Sequence, residues 1–308
     1  MNAQDSGFRK KVREIVSGAV LLDEPMCRHT SMRVGGKADV VAFPAGRAEL
    51  AALVKFLRSS GVPFFPMGNG TNLIVRDGGY RGVIICLAKL GGMELSGSGP
   101  EKALTAAAGT PLRELVAFTV REGLSGLEFC AGIPGSVGGA LRMNAGAYGW
   151  EMKDVALSLE LINGTGEIKT AQSRDLGFSY RNLELPPGAL IVSGEFRLEQ
   201  ASREAVSGRV REIMELRGSK HPLNYPNSGS IFKNPSGTPA GRLIEQCGLK
   251  GARVGDAAVS ELHANFIVNL GKAMARDVTD LIGMIARDVR GKTGFDLETE
   301  VKVIGEEK

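Results

Sequence analysis

The sequence predicts a protein of mixed helices and strands in three lobes. Its 308 residues are enough for two or three domains with buried cores. Helical segments alternate with short buried strands as far as about residue 88, which indicates a small α/β lobe. From about residue 90 the pattern becomes that of an α+β lobe, and a helix over 201–217 then leads into a last domain.

The first lobe is predicted from apolar periodicity and from glycine and proline positions. Its second helix has apolar residues every three or four positions, and Gly61 follows as a C-terminal cap. Pro44 ends the strand before that helix. The predicted elements are helices over 6–22 and 48–60 and strands over 40–43, 62–66, 73–75 and 82–87.

The second lobe and the last domain are predicted in the same way. Pro111 suits the first turn of a helix that ends before Gly123, and Gly291 follows a turn with two arginines that suits a helix C-terminus. The predicted strands are 104–108, 155–162, 166–171, 189–198, 266–269 and a strand-like run over 298–304, and the predicted helices are 111–122, 201–217, 241–247 and 274–290.

Composition limits the function classes. A net charge of +4, with no dense run of Lys and Arg, predicts no nucleic-acid partner. The four cysteines are far apart and the three histidines show no H-x-x-x-H spacing, so we expect no metal site. No run of about 18 apolar residues and no apolar leader are found in the sequence, so we expect a cytoplasmic protein without membrane spans.

Two glycine-rich segments are the strongest ligand signals in the sequence. They are Gly68–Asn72 and Gly132–Gly149, and the second is the densest glycine cluster of the chain. Such loops expose backbone N–H groups that bind pyrophosphate. Neither has the spacing of a Rossmann fingerprint or of a P-loop, so a classical dinucleotide fold is disfavoured. The alternative for each is an ordinary turn between strands.

A third segment, Tyr225–Pro235, concentrates polar groups. It contains two serines, a lysine, two asparagines and a tyrosine between two prolines, so neither a helix nor a central strand fits it well. It is either a polar turn or a rigid loop in which a hydroxyl and a cation perform proton chemistry.

These segments belong to a set of motifs that resembles a known family. In order, the set closely resembles UDP-N-acetylenolpyruvoylglucosamine reductase, and it extends over residues 29–304. The motifs are Thr30-Ser-Met-Arg-Val-Gly-Gly-Lys-Ala-Asp39, Gly68-Asn-Gly-Thr-Asn-Leu73, Gly132-Ile-Pro-Gly-Ser-Val-Gly139, Asn144-Ala-Gly-Ala-Tyr-Gly149, Tyr180-Arg-Asn182, Gly229-Ser-Ile-Phe-Lys-Asn-Pro235 and Glu298-Thr-Glu-Val301.

The resemblance implies a fold and a cofactor. The fold class is α+β: a two-lobed FAD-binding domain of the vanillyl-alcohol oxidase type over residues 1–205, with lobes at about 22–88 and 95–200, followed by a smaller α/β substrate-binding domain over 206–308. FAD is expected to bind non-covalently, although His29 precedes the first motif. The implied cofactor-binding residues are Gly68, Asn69, Gly70, Thr71, Asn72, Gly132, Ile133, Gly135, Ser136, Gly139, Asn144 and Ala145.

The resemblance also implies a reaction in peptidoglycan precursor synthesis. NADPH gives a hydride to FAD, and reduced flavin passes it to UDP-N-acetylglucosamine enolpyruvate, which becomes UDP-N-acetylmuramate. A proton donor and groups that stabilise developing charge are then required. By resemblance Ser230 is the donor, and Arg181 and Glu300 surround the substrate carboxylate. Lys220, Tyr225, Lys233 and Asn234 are weaker candidates for substrate contacts.

Several alternatives stay open. Glu298 lies two residues from Glu300 on the same side of a strand, so choosing Glu300 rests on the resemblance. Residues 182–229 carry no insertion with a substrate-facing tyrosine, which is typical of the shorter subclass of the family. Rival functions are an oxidase on the same FAD fold and a flavin- or nucleotide-sugar-binding module without turnover. We expect a monomer.

Overall fold

The computed structural model describes residues 2–308, which form eight α-helices and four short 3₁₀ helices. The α-helices are α1 (Ser6–Ile15), α2 (Arg47–Ser60), α3 (Leu112–Glu122), α4 (Val137–Arg142), α5 (Met152–Val155), α6 (Arg203–Lys220), α7 (Ala240–Gln246) and α8 (Ala275–Thr293). The 3₁₀ helices are Met26–Arg28, Leu87–Lys89, Glu128–Cys130 and Ser173–Asp175.

Twenty strands are found in the same residues, most of them short. They are β1 (Val20–Pro25), β2 (Lys37–Ala42), β3 (Phe64–Met67), β4 (Leu73–Val75), β5 (Tyr80–Cys86), β6 (Met93–Ser96), β7 (Glu101–Ala107), β8 (Leu124–Ser125), β9 (Gly146–Ala147), β10 (Trp150–Glu151), β11 (Ala156–Ile162), β12 (Ile168–Gln172), β13 (Gly177–Ser179), β14 (Asn182–Glu184), β15 (Leu190–Gln200), β16 (Asn227–Ser230), β17 (Arg253–Val254), β18 (Ala257–Val259), β19 (Phe266–Asn269) and β20 (Lys302–Ile304).

The strands form three larger sheets and three pairs. One sheet has the order β1-β2-β5-β3, and within it β3 and β5 are parallel. The second has the order β12-β11-β15-β7-β6, with β8 also paired to β15, and its pairs are antiparallel. The third is β16-β19-β18-β17. The pairs are β9 with β10, β13 with β14, and the parallel pair β4 with β20.

The described residues divide into two compact units, each with its own apolar core. Unit 1 consists of the described residues as far as Leu22, then Val40–Asn69 and Gly82–Arg217; α2, α3 and the β11-β15-β7 sheet enclose its core. Unit 2 consists of Asp23–Asp39, Gly70–Arg81 and Gly218–Lys308, and its core lies around α7, α8 and the β16–β19 sheet. The domain boundary expected at residue 205 stays a prediction about FAD and substrate domains.

The first predicted helix is too long, and this prediction is wrong at its C-terminal half. α1 ends at Ile15, where Val16 is extended and donates its backbone N–H to Val12 O at 3.0 Å. A Cβ added at Gly18 would overlap Phe43 O, so the chain after the helix packs closely against that carbonyl and needs glycine there. The next residues form β1 instead of helix. Val16 is buried nonetheless, which explains why it fitted the helical pattern.

The end of the chain needs two further corrections. Helix α8 continues past Gly291 to Thr293, and Gly294 caps it in the left-handed conformation (φ 77°). The predicted strand over 298–304 is reduced to β20, and Thr299 forms an isolated bridge with Phe232. In contrast, Gly61 caps α2 with φ 67°, as the sequence predicts.

The polar segment Tyr225–Pro235 does contain a strand, but at the edge of a sheet. β16 pairs with β19 only on one side, and its register shifts between Asn227 and Ser230. Gly229 has φ 71°, so the irregularity uses a conformation that glycine adopts readily. In residues 2–308, no helix is both long enough and apolar enough to cross a membrane.

Candidate functional site

In unit 1, the start of the first glycine-rich segment lies against the second. Gly68 follows β3, and Asn69 Nδ2 donates to Gly135 O at 3.3 Å. A Cβ added at Gly68 would overlap the Ser136 hydroxyl, so this approach requires glycine. The prediction that the two segments contribute to one site therefore has a geometric basis within this unit.

Ser136 is the central residue of this arrangement. It is 2% exposed, and its Oγ has no hydrogen-bond partner among residues 2–308. It precedes α4 but does not cap the helix with its side chain. The Ser136 Oγ also lies 3.7 Å from the position of a Cβ on Gly139, so a second glycine leaves room beside it. A buried hydroxyl without a partner is rare, and a ligand with acceptor oxygens is one explanation.

The remaining cofactor candidates of this segment differ in how they are used. Asn144 is fully buried, and its amide is engaged by the protein: Nδ2 donates to Glu151 Oε2 at 2.9 Å and to Ser179 O at 3.0 Å, and Oδ1 accepts from Lys153 N at 3.0 Å. Ile133 and Ala145 are half-buried and pack on the core of unit 1.

Arg217 is a residue that sequence reasoning did not select for the site. It lies in α6, its Nη1 donates to Gly132 O at 3.4 Å, and its guanidinium carbon lies 5.9 Å from the centre of the Tyr148 ring. Its Nε is buried and has no partner within residues 2–308, and burial lowers the pKa of the guanidinium. An arginine near the end of a helix is common, so the sequence offered no signal for this one.

Arg181 lies in the two-residue loop between β13 and β14. Its φ is 54°, which is uncommon for any residue other than glycine. Its Nη2 donates to Gly146 O at 3.1 Å, and its guanidinium carbon lies 5.2 Å from the centre of the Tyr180 ring. The side chain is half-buried and is directed by these contacts.

In unit 2, the rest of the first glycine-rich segment is fixed by backbone contacts. Gly70 has φ 62°, and a Cβ there would overlap His29 O. Asn72 Nδ2 donates to Glu300 O at 3.2 Å, and Asn72 O accepts from Lys302 N at 3.1 Å. The amide of Asn72 therefore holds the backbone of a predicted catalytic residue. Thr71 is half-buried between them.

Ser230 and Glu300 are brought together within unit 2. Glu300 N donates to Ile231 O at 2.8 Å, and Phe232 bridges Thr299. Ser230, one residue before Ile231, is paired in register with Phe266 of β19. Both residues are half-buried. The ladder places the Ser230 and Glu300 backbones side by side although they are 70 residues apart.

The structure distinguishes Glu298 from Glu300. The Glu298 side chain is 72% exposed and forms an ion pair with Lys233, whose own backbone N donates to Glu298 O at 2.9 Å. Glu300 is half-buried beside the Ser230 segment. Glu298, the acid that the sequence could not separate from Glu300, is thus exposed and paired with the half-buried Lys233.

The weaker candidates for substrate contacts are either exposed or bonded to other parts of the protein. Asn234 Oδ1 accepts from Ala240 N at 3.0 Å and so helps to begin α7. Lys220, at the end of α6, and Tyr225 are exposed. Ser228, the other serine of the Tyr225–Pro235 segment, is buried, and its hydroxyl has no partner among the described residues.

The chain is similar to known proteins over nearly its whole length. A family model described as UDP-N-acetylenolpyruvoylglucosamine reductase, C-terminal domain, matches residues 221–304, and one described as FAD binding domain matches residues 38–172. The reductase of that name from Syntrophus aciditrophicus is 52% identical over 98% of this chain and 97% of its own length. The chain belongs to the UDP-N-acetylenolpyruvoylglucosamine reductase family.

Other members of the family agree. The reductase of Streptococcus pneumoniae is 41% identical over 97% of this chain and 99% of its own. The crystal structure of the reductase from Thermus caldophilus has a TM-score of 0.78 and 37% identity, over 92% of this chain and 98% of that one. The predicted fold class is confirmed, and the protein is an FAD-dependent oxidoreductase, a UDP-N-acetylenolpyruvoylglucosamine reductase of peptidoglycan precursor synthesis.

The residues of unit 1 fit the cofactor that this family uses. The buried Ser136 hydroxyl lacks a protein partner, and the neighbouring Gly68 and Gly139 place no side chain beside it. Phosphate oxygens accept hydrogen bonds from such a hydroxyl and from loop N–H groups. Gly68, Asn69, Gly135, Ser136 and Gly139 are the candidates to hold FAD in this unit.

Proposed function

We propose that the protein reduces UDP-N-acetylglucosamine enolpyruvate to UDP-N-acetylmuramate, with NADPH as the hydride source and a proton from Ser230. When bound, FAD would accept the hydride from NADPH and pass it to the enolpyruvyl methylene carbon. The protein must then supply a proton to the neighbouring carbon and stabilise the charge that develops on the carboxylate side.

The assignment of Ser230 is supported by its neighbour Glu300. The hydrogen bond from Glu300 N to Ile231 O holds an acid beside the serine, in a half-buried part of unit 2. A serine hydroxyl is a very weak acid, so it needs a partner that stabilises its anion or returns its proton. Beside an anionic substrate, Glu300 would serve in its acid form.

Lys233 is a less direct helper than the sequence suggested. Its ammonium is paired with Glu298, which reduces the charge that it offers to Ser230. We propose that Lys233, Lys220, Asn234 and Tyr225 contact the nucleotide or sugar part of the substrate. Lys233 and Asn234 lie in the motif Gly229–Pro235, and Lys220 and Tyr225 precede it. Arg181 is proposed for the substrate carboxylate, since its planar guanidinium matches a carboxylate with two hydrogen bonds.

Non-covalent attachment of FAD is part of the proposal. His29 Nε2 lies 3.0 Å from Glu24 Oε1, so this ring nitrogen is engaged by a carboxylate of its own unit. FAD, NADPH and the enolpyruvyl nucleotide are the proposed small-molecule partners. We propose a monomer that works in the cytoplasm, where NADPH is available.

The test is the change Ser230→Ala, with Ser228→Ala as its matched control. Loss of the proton donor should lower kcat about a hundredfold or more, while the anaerobic reduction of bound flavin by NADPH proceeds at its normal rate. Ser228 lies in the same strand and has no role in the proposed reaction, so its removal should leave turnover unchanged. Because its buried hydroxyl has no protein partner, the change should leave stability equal or higher.

Stopped-flow absorbance separates the two half-reactions, and the flavin band reports occupancy. Turnover by Ser230→Ala at the normal rate, with flavin bound, would show that Ser230 is not the proton donor. Equal losses in Ser230→Ala and Ser228→Ala would point instead to a general disturbance of β16.

A further inference from the structure

We propose that Arg142 and Asn144 are positioning residues that hold the Tyr180–Arg181 loop and so present the Arg181 guanidinium to the substrate carboxylate. The inference rests on the proposed function, because it takes Arg181 as the carboxylate-binding group. Both residues lie within the glycine-rich segment Gly132–Gly149, Arg142 as the last residue of α4 and Asn144 two residues later.

The loop is one that its own backbone does not stabilise well. Tyr180 and Arg181 connect β13 to β14, and Ser179 is paired with Asn182. Arg181 has positive φ and Tyr180 does not. Two-residue hairpin loops that match strand twist have positive φ at the first central residue or at both. This loop has it at the second alone, so contacts from outside the hairpin must fix its geometry.

Arg142 supplies the first of these contacts. Its Nη1 donates at 2.7 Å to Asn182 Oδ1 and at 2.7 Å to Leu183 O. Both acceptors lie in β14, immediately after the loop. Hydrogen bonds from a charged donor are among the stronger ones in proteins, and two from one nitrogen fix the start of the strand in place.

Asn144 supplies the second contact, on the other strand. Its Nδ2 donates to Ser179 O at 3.0 Å, immediately before the loop. The amide is fully buried, and Glu151 and the backbone of Lys153 hold it in that orientation. Ser179 and Asn182, the last pair of the hairpin, are therefore each held from the segment 142–144.

The same segment directs the Arg181 side chain. Gly146 O, two residues after Asn144, accepts from Arg181 Nη2 at 3.1 Å. Hydrogen bonds with residues 142–146 thus hold both the guanidinium of Arg181 and the backbone on either side of it. A non-glycine residue in the left-handed region is strained by its own Cβ. Strained residues of this kind are concentrated at functional sites, so the strain at Arg181 supports a functional role for its side chain.

The experiment measures how well the protein distinguishes two ligands that differ by a lactyl ether group, which bears the carboxylate. UDP-N-acetylmuramate carries it, and UDP-N-acetylglucosamine does not. Titration calorimetry on the flavin-loaded protein gives the ratio of their affinities. We expect Arg142→Met to lower this ratio about tenfold, with the affinity for UDP-N-acetylglucosamine unchanged. Arg113→Met is the control, since Arg113 is a highly exposed arginine of the same unit.

A double-mutant cycle shows whether Arg142 acts through Arg181. If it does, Arg142→Met adds nothing to Arg181→Met, because the group that it positions is already absent. A purely structural role would instead weaken both ligands and would persist in the double variant. Arg142→Lys, which keeps the charge, should recover part of the ratio.

The outcomes separate this inference from the proposed function. If Arg181→Met removes the carboxylate preference and Arg142→Met leaves it intact, the positioning role is wrong and the role of Arg181 stands. If Arg181→Met keeps the preference, both fail. Should Arg142→Met not fold, Asn182→Ala removes one of the two acceptors and should lower the ratio severalfold; an unchanged ratio would overturn the inference.

Discussion

The two regions that hold the proposed catalytic side chains do so by different means. In unit 1, Arg181 is held by side chains, since Arg142 and Asn144 fasten the strands on either side of its loop. In unit 2, Ser230 and Glu300 are held by backbone hydrogen bonds of a ladder.

Backbone conformation also differs between the two segments that carry these side chains. Five non-glycine residues in 2–308 have positive φ: Asn144, Tyr148 and Arg181 lie in unit 1, and Asp23 and Arg33 lie in unit 2, away from the Ser230 segment in sequence. In unit 2 the corresponding irregularity at β16 falls on Gly229, where it costs little. Backbone hydrogen bonds in a ladder should keep Ser230 and Glu300 in position when neighbouring side chains are changed. The position of Arg181, in contrast, depends on the particular side chains of Arg142 and Asn144.

The largest effect on turnover is expected at Glu300 of unit 2, and Glu298 serves as its control. Glu300→Gln should lower kcat about a hundredfold if Glu300 assists Ser230 in its acid form or in proton return. Glu298→Gln is the matched control and should change kcat less than about twofold, because the Glu298 side chain is 72% exposed and its carboxylate is paired with Lys233. Steady-state kinetics of both variants give the answer. The reverse order would assign the role to Glu298.

A smaller effect is expected in the clamped loop, and it concerns stability. Arg181→Gly and Arg181→Ala both remove the guanidinium and should both lower turnover. Glycine adopts φ 54° without strain, so the glycine variant should be more stable by about 1 kcal/mol. Urea unfolding of the two variants measures the difference. Equal stabilities would mean that the loop carries no strain at Arg181.

The smallest effect is a pH dependence in unit 2. Burial lowers the pKa of His263, and Lys250 acts in the same direction while Glu245 opposes it. Asn265 N donates to His263 Nδ1 at 3.2 Å, and the Asn265 side chain bonds the backbone of Phe232 in the Ser230 segment.

The direction in which pH changes the stability follows from the protons that the folded and unfolded states bind. Because the folded pKa lies below the unfolded value of about 6.5, the unfolded state binds more protons below that pH, and the free energy of unfolding falls as pH drops. His263→Gln should make this fall shallower as the pH drops below about 6.5, because the group that must take up a proton on unfolding is absent. A wild-type curve that is flat in this range would refute the prediction.

Much of the fold could be predicted because local signals agreed with tertiary structure. The helix Arg47–Ser60 has an apolar face and a glycine in the left-handed conformation at its end. The first helix was overextended because Val16 is buried for another reason, in the turn before β1. Helix α4 was missed, since its glycines oppose helix propensity and tertiary contacts stabilise it.

The sequence predicts the site residues that lie in family motifs. It does not predict those that are distinguished only by which side chain they pair with in the folded protein. Ser230 and Arg181 came from their motifs, but a period of two residues places Glu298 and Glu300 on the same side. The ion pair with Lys233 separates them, and it depends on the three-dimensional fold. Arg142 and Arg217 had no sequence signal, because their partners are backbone oxygens and a ring far along the chain.

The most direct test of the account is an anaerobic single turnover followed by the visible absorption of flavin. We predict that the purified protein contains flavin, that NADPH bleaches its band, and that one equivalent of UDP-N-acetylglucosamine enolpyruvate restores it. In Ser230→Ala the band should bleach normally and recover at least about a hundredfold more slowly. A protein that takes up no flavin, or a band that the enolpyruvyl nucleotide never restores, would contradict the proposed function.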